Sequence, residues 1–177
     1  MKMKEKEVFT AMRRLIIIAG LLLLCGFYSN VIAQPHPPRP VVITANPAQP
    51  LAFGAFTPGA SGGTVTVSAA GGTRSSTGTV ILLNMGFIYT PAMFYIRANP
   101  GTVISLLTGP PSTITGSNGG TLSLQVNGTF PASPFVTMVP YQQQTTVLVG
   151  GTLTVGNIAS NPPGYYSGSI DVTFVQE

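Results

Sequence analysis

The sequence predicts an all-β domain, a sandwich or barrel of roughly seven to ten short, mostly antiparallel strands. Three observations carry this. Thr64-Val65-Thr66-Val67-Ser68, Leu122-Ser123-Leu124-Gln125-Val126 and Ser169-Ile170-Asp171-Val172-Thr173-Phe174 alternate apolar and polar residues, the pattern of strands with one dry and one wet face. The apolar runs are rich in Val, Ile and Thr, whose branched side chains suit a pleated surface. No segment sustains a 3.6-residue period, so the only helix expected lies in the leader. With 21 Gly and 16 Pro in 177 residues, the composition approaches that of low-complexity disorder. The period-two alternation argues against it.

The chain reads as three parts. Residues 1–33 have the form of a secretory signal peptide: a basic stretch to Arg14, the ten-residue apolar run Leu15–Leu24, and Val31-Ile32-Ala33 placing small or modest residues before a cleavage between Ala33 and Gln34. The apolar run is too short to span a bilayer. Cys25 follows Leu24, a bulkier neighbour than a lipid-attachment signal carries, so lipidation is not expected. Residues 34–40 (QPHPPRP) are a Pro-rich, extended lead-in. Residues 41–177 form a single β-sandwich domain.

Within that domain the strands are expected, in order, at Val41–Ala45, Leu51–Phe53, Thr64–Ser68, Thr79–Leu83, Met93–Ala98, Val103–Leu107, Leu122–Val126, Phe135–Val139, Thr145–Val149, Thr152–Val155 and Tyr166–Val175. Each is an apolar or alternating run bounded by Gly, Pro, Asn or Ser. Gly-Gly-Thr recurs at Gly62, Gly71, Gly119 and Gly150, and the Gly pairs read as turns with positive φ. The copies have no fixed spacing, so no solenoid is implied. The inward-facing set is expected to include Phe53, Val65, Val67, Leu122, Leu124, Val147, Val149, Leu153, Val155, Ile170, Val172 and Phe174.

The composition excludes most chemistry. Charged residues are only 7% of the chain, and from Gln34 onward they reduce to Arg39, Arg74, Arg97, Asp171 and Glu177, with His36 the one histidine. That is too little positive charge for nucleic-acid binding. Gly59-Ala60-Ser61-Gly62-Gly63 matches a nucleophile elbow in letters, but Pro58 precedes it and a strand follows, where the mechanism needs a strand before and a helix after. Asp171 and Glu177 are the only carboxylates for acid–base work, and Asp171 alternates away from Ile170, Val172 and Phe174. Metal centres would need more ligands than the domain offers, so no cofactor or metal is expected. Asn127-Gly128-Thr129 fits a glycosylation sequon and reads as a turn. Arg74, in the turn-like GGTRSSTG, reads as a solvated loop tip, with anion binding the sharper alternative. Tyr165 and Tyr166 could stack on a sugar. These three residues are the candidate ligand contacts.

Several segments together carry a family resemblance. They are Pro50-Leu51-Ala52-Phe53-Gly54-Ala55-Phe56 before Gly62-Gly63-Thr64-Val65-Thr66-Val67, then Gly72–Gly78 with Pro91-Ala92-Met93-Phe94, and finally Val149–Gly156 followed by Pro163-Gly164-Tyr165-Tyr166-Ser167-Gly168 and the closing run to Phe174. The chain resembles the bacterial domain-of-unknown-function family DUF4402 over about residues 41–176, and is similar in layout to spore-coat-U-like and fimbrial-subunit domains. It departs from the spore-coat pattern in having no cysteine after Cys25. The resemblance implies a pilin-like, immunoglobulin-like Greek-key sandwich and no enzyme.

The expected function is a non-catalytic structural protein of the cell envelope or surface, a fimbria-like or adhesin component exported to the periplasm, cell surface or medium. A carbohydrate- or peptide-binding module is the alternative. Expected partners are other envelope or surface proteins, with membrane contact only through the signal peptide before cleavage. Gln34–Pro40 holds four prolines and makes a poor strand for a neighbour. The domain is therefore expected to fold as a monomer without N-terminal strand exchange, with Val41–Ala45 paired in its own chain beside the closing strand.

Overall fold

A computed structural model describes residues 39–177, together with Thr10, Met12 and Arg13, which are helical. The apolar run, Cys25, the Ala33–Gln34 cleavage position and most of the Pro-rich lead-in lie outside the described residues. Pro38–Glu177 makes one compact unit.

This unit is an all-β antiparallel sandwich of fifteen strands: β1 (Val42–Ala45), β2 (Ala52–Phe53), β3 (Ala55–Thr57), β4 (Gly63–Val67), β5 (Arg74–Ser76), β6 (Ile81–Leu83), β7 (Tyr89–Thr90), β8 (Ala92–Arg97), β9 (Val103–Leu107), β10 (Ser112–Gly116), β11 (Thr121–Phe130), β12 (Phe135–Val136), β13 (Thr145–Val155), β14 (Tyr166–Ser167) and β15 (Thr173–Gln176). The main sheet runs β1-β8-β13-β11-β10-β14, with β4 also on β13 and β5 on β4. The facing layer holds β12-β9-β15 and a second ladder in which β2 pairs β7 and β3 pairs β6.

Strand β13 organises the main sheet. Thr145–Val149 pair with β8 and Gly151–Val155 pair with β4 along the same edge, while on the other edge Leu148–Thr154 pair with β11. The partner changes at Gly150. Two strands were expected here with a turn at Gly150-Gly151; instead they are one. Neither glycine has positive φ. They are needed for space: a Cβ on Gly150 would sit 2.6 Å from Val67 O and Ala69 N, and one on Gly151 would sit 2.8 Å from Leu51 Cδ2. Opposite them, β11 bulges between Val126 and Gly128. Asn127, expected in a turn, is the bulged residue, and its Nδ2 donates to Thr152 Oγ1 at 3.0 Å.

The core has two parts, one under each half of β13. Val147 and Ile96 of the main sheet meet Ile104, Phe135 and Phe174 of the facing layer. Val65, Ile114, Leu122, Leu124, Leu153 and Val155 meet Leu51, Phe53, Phe56, Leu82 and Ile170. Alternation placed all twelve expected core residues inward: eight are buried, and Phe53, Ile170, Val172 and Phe174 are half-buried. A buried aliphatic side chain contributes about 1.5–3 kcal/mol, so Val147, Val149, Leu153 and Val155 make β13 the costliest strand to lose.

Three further expectations change. Val41–Ala45 does pair within its own chain, but β1 lies against β8 and not beside the closing strand. That closing run is not one strand: β14 pairs β10 in the main sheet, β15 pairs β9 in the facing layer, and residues 168–172 cross between them without a ladder. Phe135–Val139 is strand only over Phe135–Val136, after which Thr137, fully buried, turns its hydroxyl onto Asn99 O at 2.6 Å. The strands β3, β5, β7 and β10 were not expected. They are short and rich in Gly, Ser or Thr, and give little period to read.

Candidate functional site: an apolar groove between the layers

Segments far apart in sequence build a groove of about 960 Å³. One wall is Leu51–Phe56, carrying β2 and β3. The other is Pro163–Val172. Ile114, Leu122, Leu124, Leu153 and Val155 of the main sheet form the floor. Phe87, Ile88 and Tyr165 also line it, and these three are among the exposed large hydrophobic residues. Among the described residues that line it, the only charged one is Asp171.

Arg74 fixes the first wall. Residues 81–83 and 89–90 pair with 57–55 and 53–52, and Asn84–Ile88 loop out opposite Gly54. The gap in the ladder leaves carbonyls without partners. Arg74 fills it: Nη1 donates to Phe53 O at 2.9 Å and to Ala55 O at 3.1 Å, and Nη2 donates to Leu83 O at 3.2 Å. The guanidinium also lies 4.5 Å from the centroid of the Tyr89 ring, within cation–π range. Gly54 makes room for it: its φ is +66°, and a Cβ there would stand 2.5 Å from Nη1. Arg74 is thus a half-buried residue of β5 and not a loop tip. Its donors are turned to the protein's own main chain.

The two tyrosines diverge. Tyr165 is 77% exposed at one end of the groove. Tyr166 is half-buried: its ring packs on Gly116, where a Cβ would lie 2.7 Å from it, and its hydroxyl donates to Pro162 O at 2.8 Å. Sequence reasoning therefore grouped three residues that the fold separates by role. Arg74 and Tyr166 hold the walls, and Tyr165 alone is presented.

Sequence reasoning also missed Asn161. Buried at one edge of the groove, it accepts from Gly156 N at 2.6 Å through Oδ1 and donates to Thr121 O at 2.8 Å through Nδ2. Ser61 is exposed in the loop before β4, and its N–H donates to Thr79 Oγ1 at 3.1 Å. Among the described residues, no three of His, Cys, Asp or Glu converge.

Residues 43–175 match the family described as "Domain of unknown function (DUF4402)". The chain belongs to the DUF4402 family. No curated protein and no solved structure gives a match. Within this DUF4402 domain the match runs from β1 to β15 and takes in both walls and the floor of the groove.

Proposed function

We propose that this DUF4402 protein is an exported, non-catalytic structural component of the cell envelope or surface, working through contacts with other macromolecules. The observation that carries the reading is the groove lining. It is mostly apolar, and among the described residues its only charged one is Asp171, chemistry suited to holding a partner rather than transforming a substrate. The signal-peptide pattern of residues 1–33 supports export. Fractionation of cells producing the full chain, followed by immuno-electron microscopy, tests it. The protein is expected in the envelope or at the surface, with a mature start at Gln34. A cytoplasmic pool of uncleaved chain would sink the reading.

A second reading is a carbohydrate-binding module, favoured by the exposure of Tyr165 at the groove's end. A glycan-array signal that disappears in Tyr165→Ala would select it.

A further inference from the structure

We infer that the outer face of the main sheet binds ice, through a two-dimensional grid of hydroxyls whose spacings match those of oxygens on the crystal surface. The inference depends neither on the groove nor on where the protein resides.

The grid follows from register. Val65, Leu153, Leu122, Leu124 and Ile114 are buried, so their neighbours along each strand face outward. Pairing aligns those neighbours into ranks that cross the strands. Thr77, Thr64, Thr154, Ser123 and Thr113 form one rank. Ser75, Thr66 and Thr152 form the next, continued by Gln125. Within a rank, neighbours stand one strand apart, about 4.8 Å; between ranks they stand two residues apart, about 6.8 Å. The prism face of hexagonal ice repeats its oxygens at close to these two distances.

The grid is also uncharged, stiff and shallow. Neither rank holds a charged residue. The branched Cβ of threonine restricts its χ1, and hydrogen bonds fix several hydroxyls in place. Thr64 Oγ1 and Thr77 Oγ1 lie 2.7 Å apart, Thr66 Oγ1 and Thr152 Oγ1 lie 3.0 Å apart, and Asn127 Nδ2 donates to Thr152 Oγ1. A hydroxyl has one donor and two acceptor sites, so each keeps capacity for water. Sheet twist turns adjacent strands by about 20–25°, but over only two ranks this lifts a residue by roughly 1 Å from the plane of its neighbour, less than the width of a water molecule.

The uniformity is local. Beyond Gly150 the same face carries Phe130, Leu148, Met93 and Tyr95, so hydroxyls are not the habit of the whole sheet. The chemistry also chooses between occupants. A sugar surface is met by aromatic rings and a protein partner by an apolar centre, and the two ranks present neither. Threonine offers ice a hydroxyl that joins the lattice and a methyl with little hold on liquid water.

The test grows ice slowly from a dilute solution of the full-length, fluorescently labelled protein and measures the fraction taken into the solid. The wild-type chain is expected to be enriched in the ice, while a labelled dextran is pushed into the liquid. Thr154→Lys sets a charge in the middle of the longer rank and is expected to lower uptake by about tenfold. Ser123→Lys, on the neighbouring strand, is expected to do the same, so the result does not hang on the folding of one variant. Met138→Ala, at an exposed residue beyond β12, is expected to leave uptake unchanged. Thermal melts of all three variants are expected to match the wild type, so that loss of uptake reads the face and not the fold. Exclusion of the wild-type chain from ice overturns the inference. So does full uptake of both lysine variants. Retention on crystalline cellulose that Thr154→Lys abolishes, with no uptake into ice, also overturns it and gives the face to a polysaccharide.

Discussion

Removing the Arg74 guanidinium would leave Phe53 O, Ala55 O and Leu83 O without their donor and the Tyr89 ring without its cation. Hydrogen bonds to a charged group contribute about 1.5–3 kcal/mol, and part of that is lost to solvent at a half-buried site. Arg74→Ala is expected to lower stability by about 2–3 kcal/mol in urea titrations, with the slope unchanged. Arg74→Lys should recover only part, because one ammonium lacks the planar fork that spans three carbonyls. No local signal in GGTRSSTG foretells this role. Its cause is the loop-out of Asn84–Ile88 opposite Gly54, and a side chain's partners come from the fold. Tyr165 and Tyr166 teach the same lesson. They are adjacent and chemically identical, yet one is presented to solvent and the other seals a wall.

The four Gly-Gly-Thr repeats show what a motif can and cannot say about an element. Gly62, Gly71 and Gly119 have the positive φ that the turn reading requires. The fourth copy sits in the middle of an eleven-residue strand, because glycine also serves where two backbones approach too closely for a Cβ. Gly150→Ala would drive its methyl into main-chain atoms of Val67 and Ala69, which cannot swing aside as a side chain can. It is expected to cost about 1–3 kcal/mol and to loosen the β4–β13 ladder, visible as faster amide exchange in Val65 and Val67 before any effect on β8. The closing run has the opposite lesson. Its alternation truly marks faces, since Ile170, Val172 and Phe174 turn inward. Period two reports which way side chains point and is silent about which neighbour the main chain finds, so a segment with no ladder looked like part of one strand.

For the whole molecule, the class and much of the core were legible because burial acts on each residue as its own pattern records. The groove was not legible. Its walls are residues 51–56 and 163–172 and its floor comes from three strands between them, a juxtaposition no local pattern encodes. The same long-range wiring governs when the fold can form. Strand β13 begins at Thr145 and is the shared partner of β4, β8 and β11, so the main sheet has no middle until late in the chain. A fragment ending at Gln144 is expected to show no cooperative thermal melt, although it holds twelve of the fifteen strands; a sharp transition in that fragment by circular dichroism would contradict this. Non-local pairing of this kind also folds slowly. During synthesis from the amino end, the earlier strands must wait, unsorted, for the one that joins them. For a chain proposed to leave the cytoplasm, that delay is useful: it keeps the polypeptide threadable until its last quarter arrives on the far side.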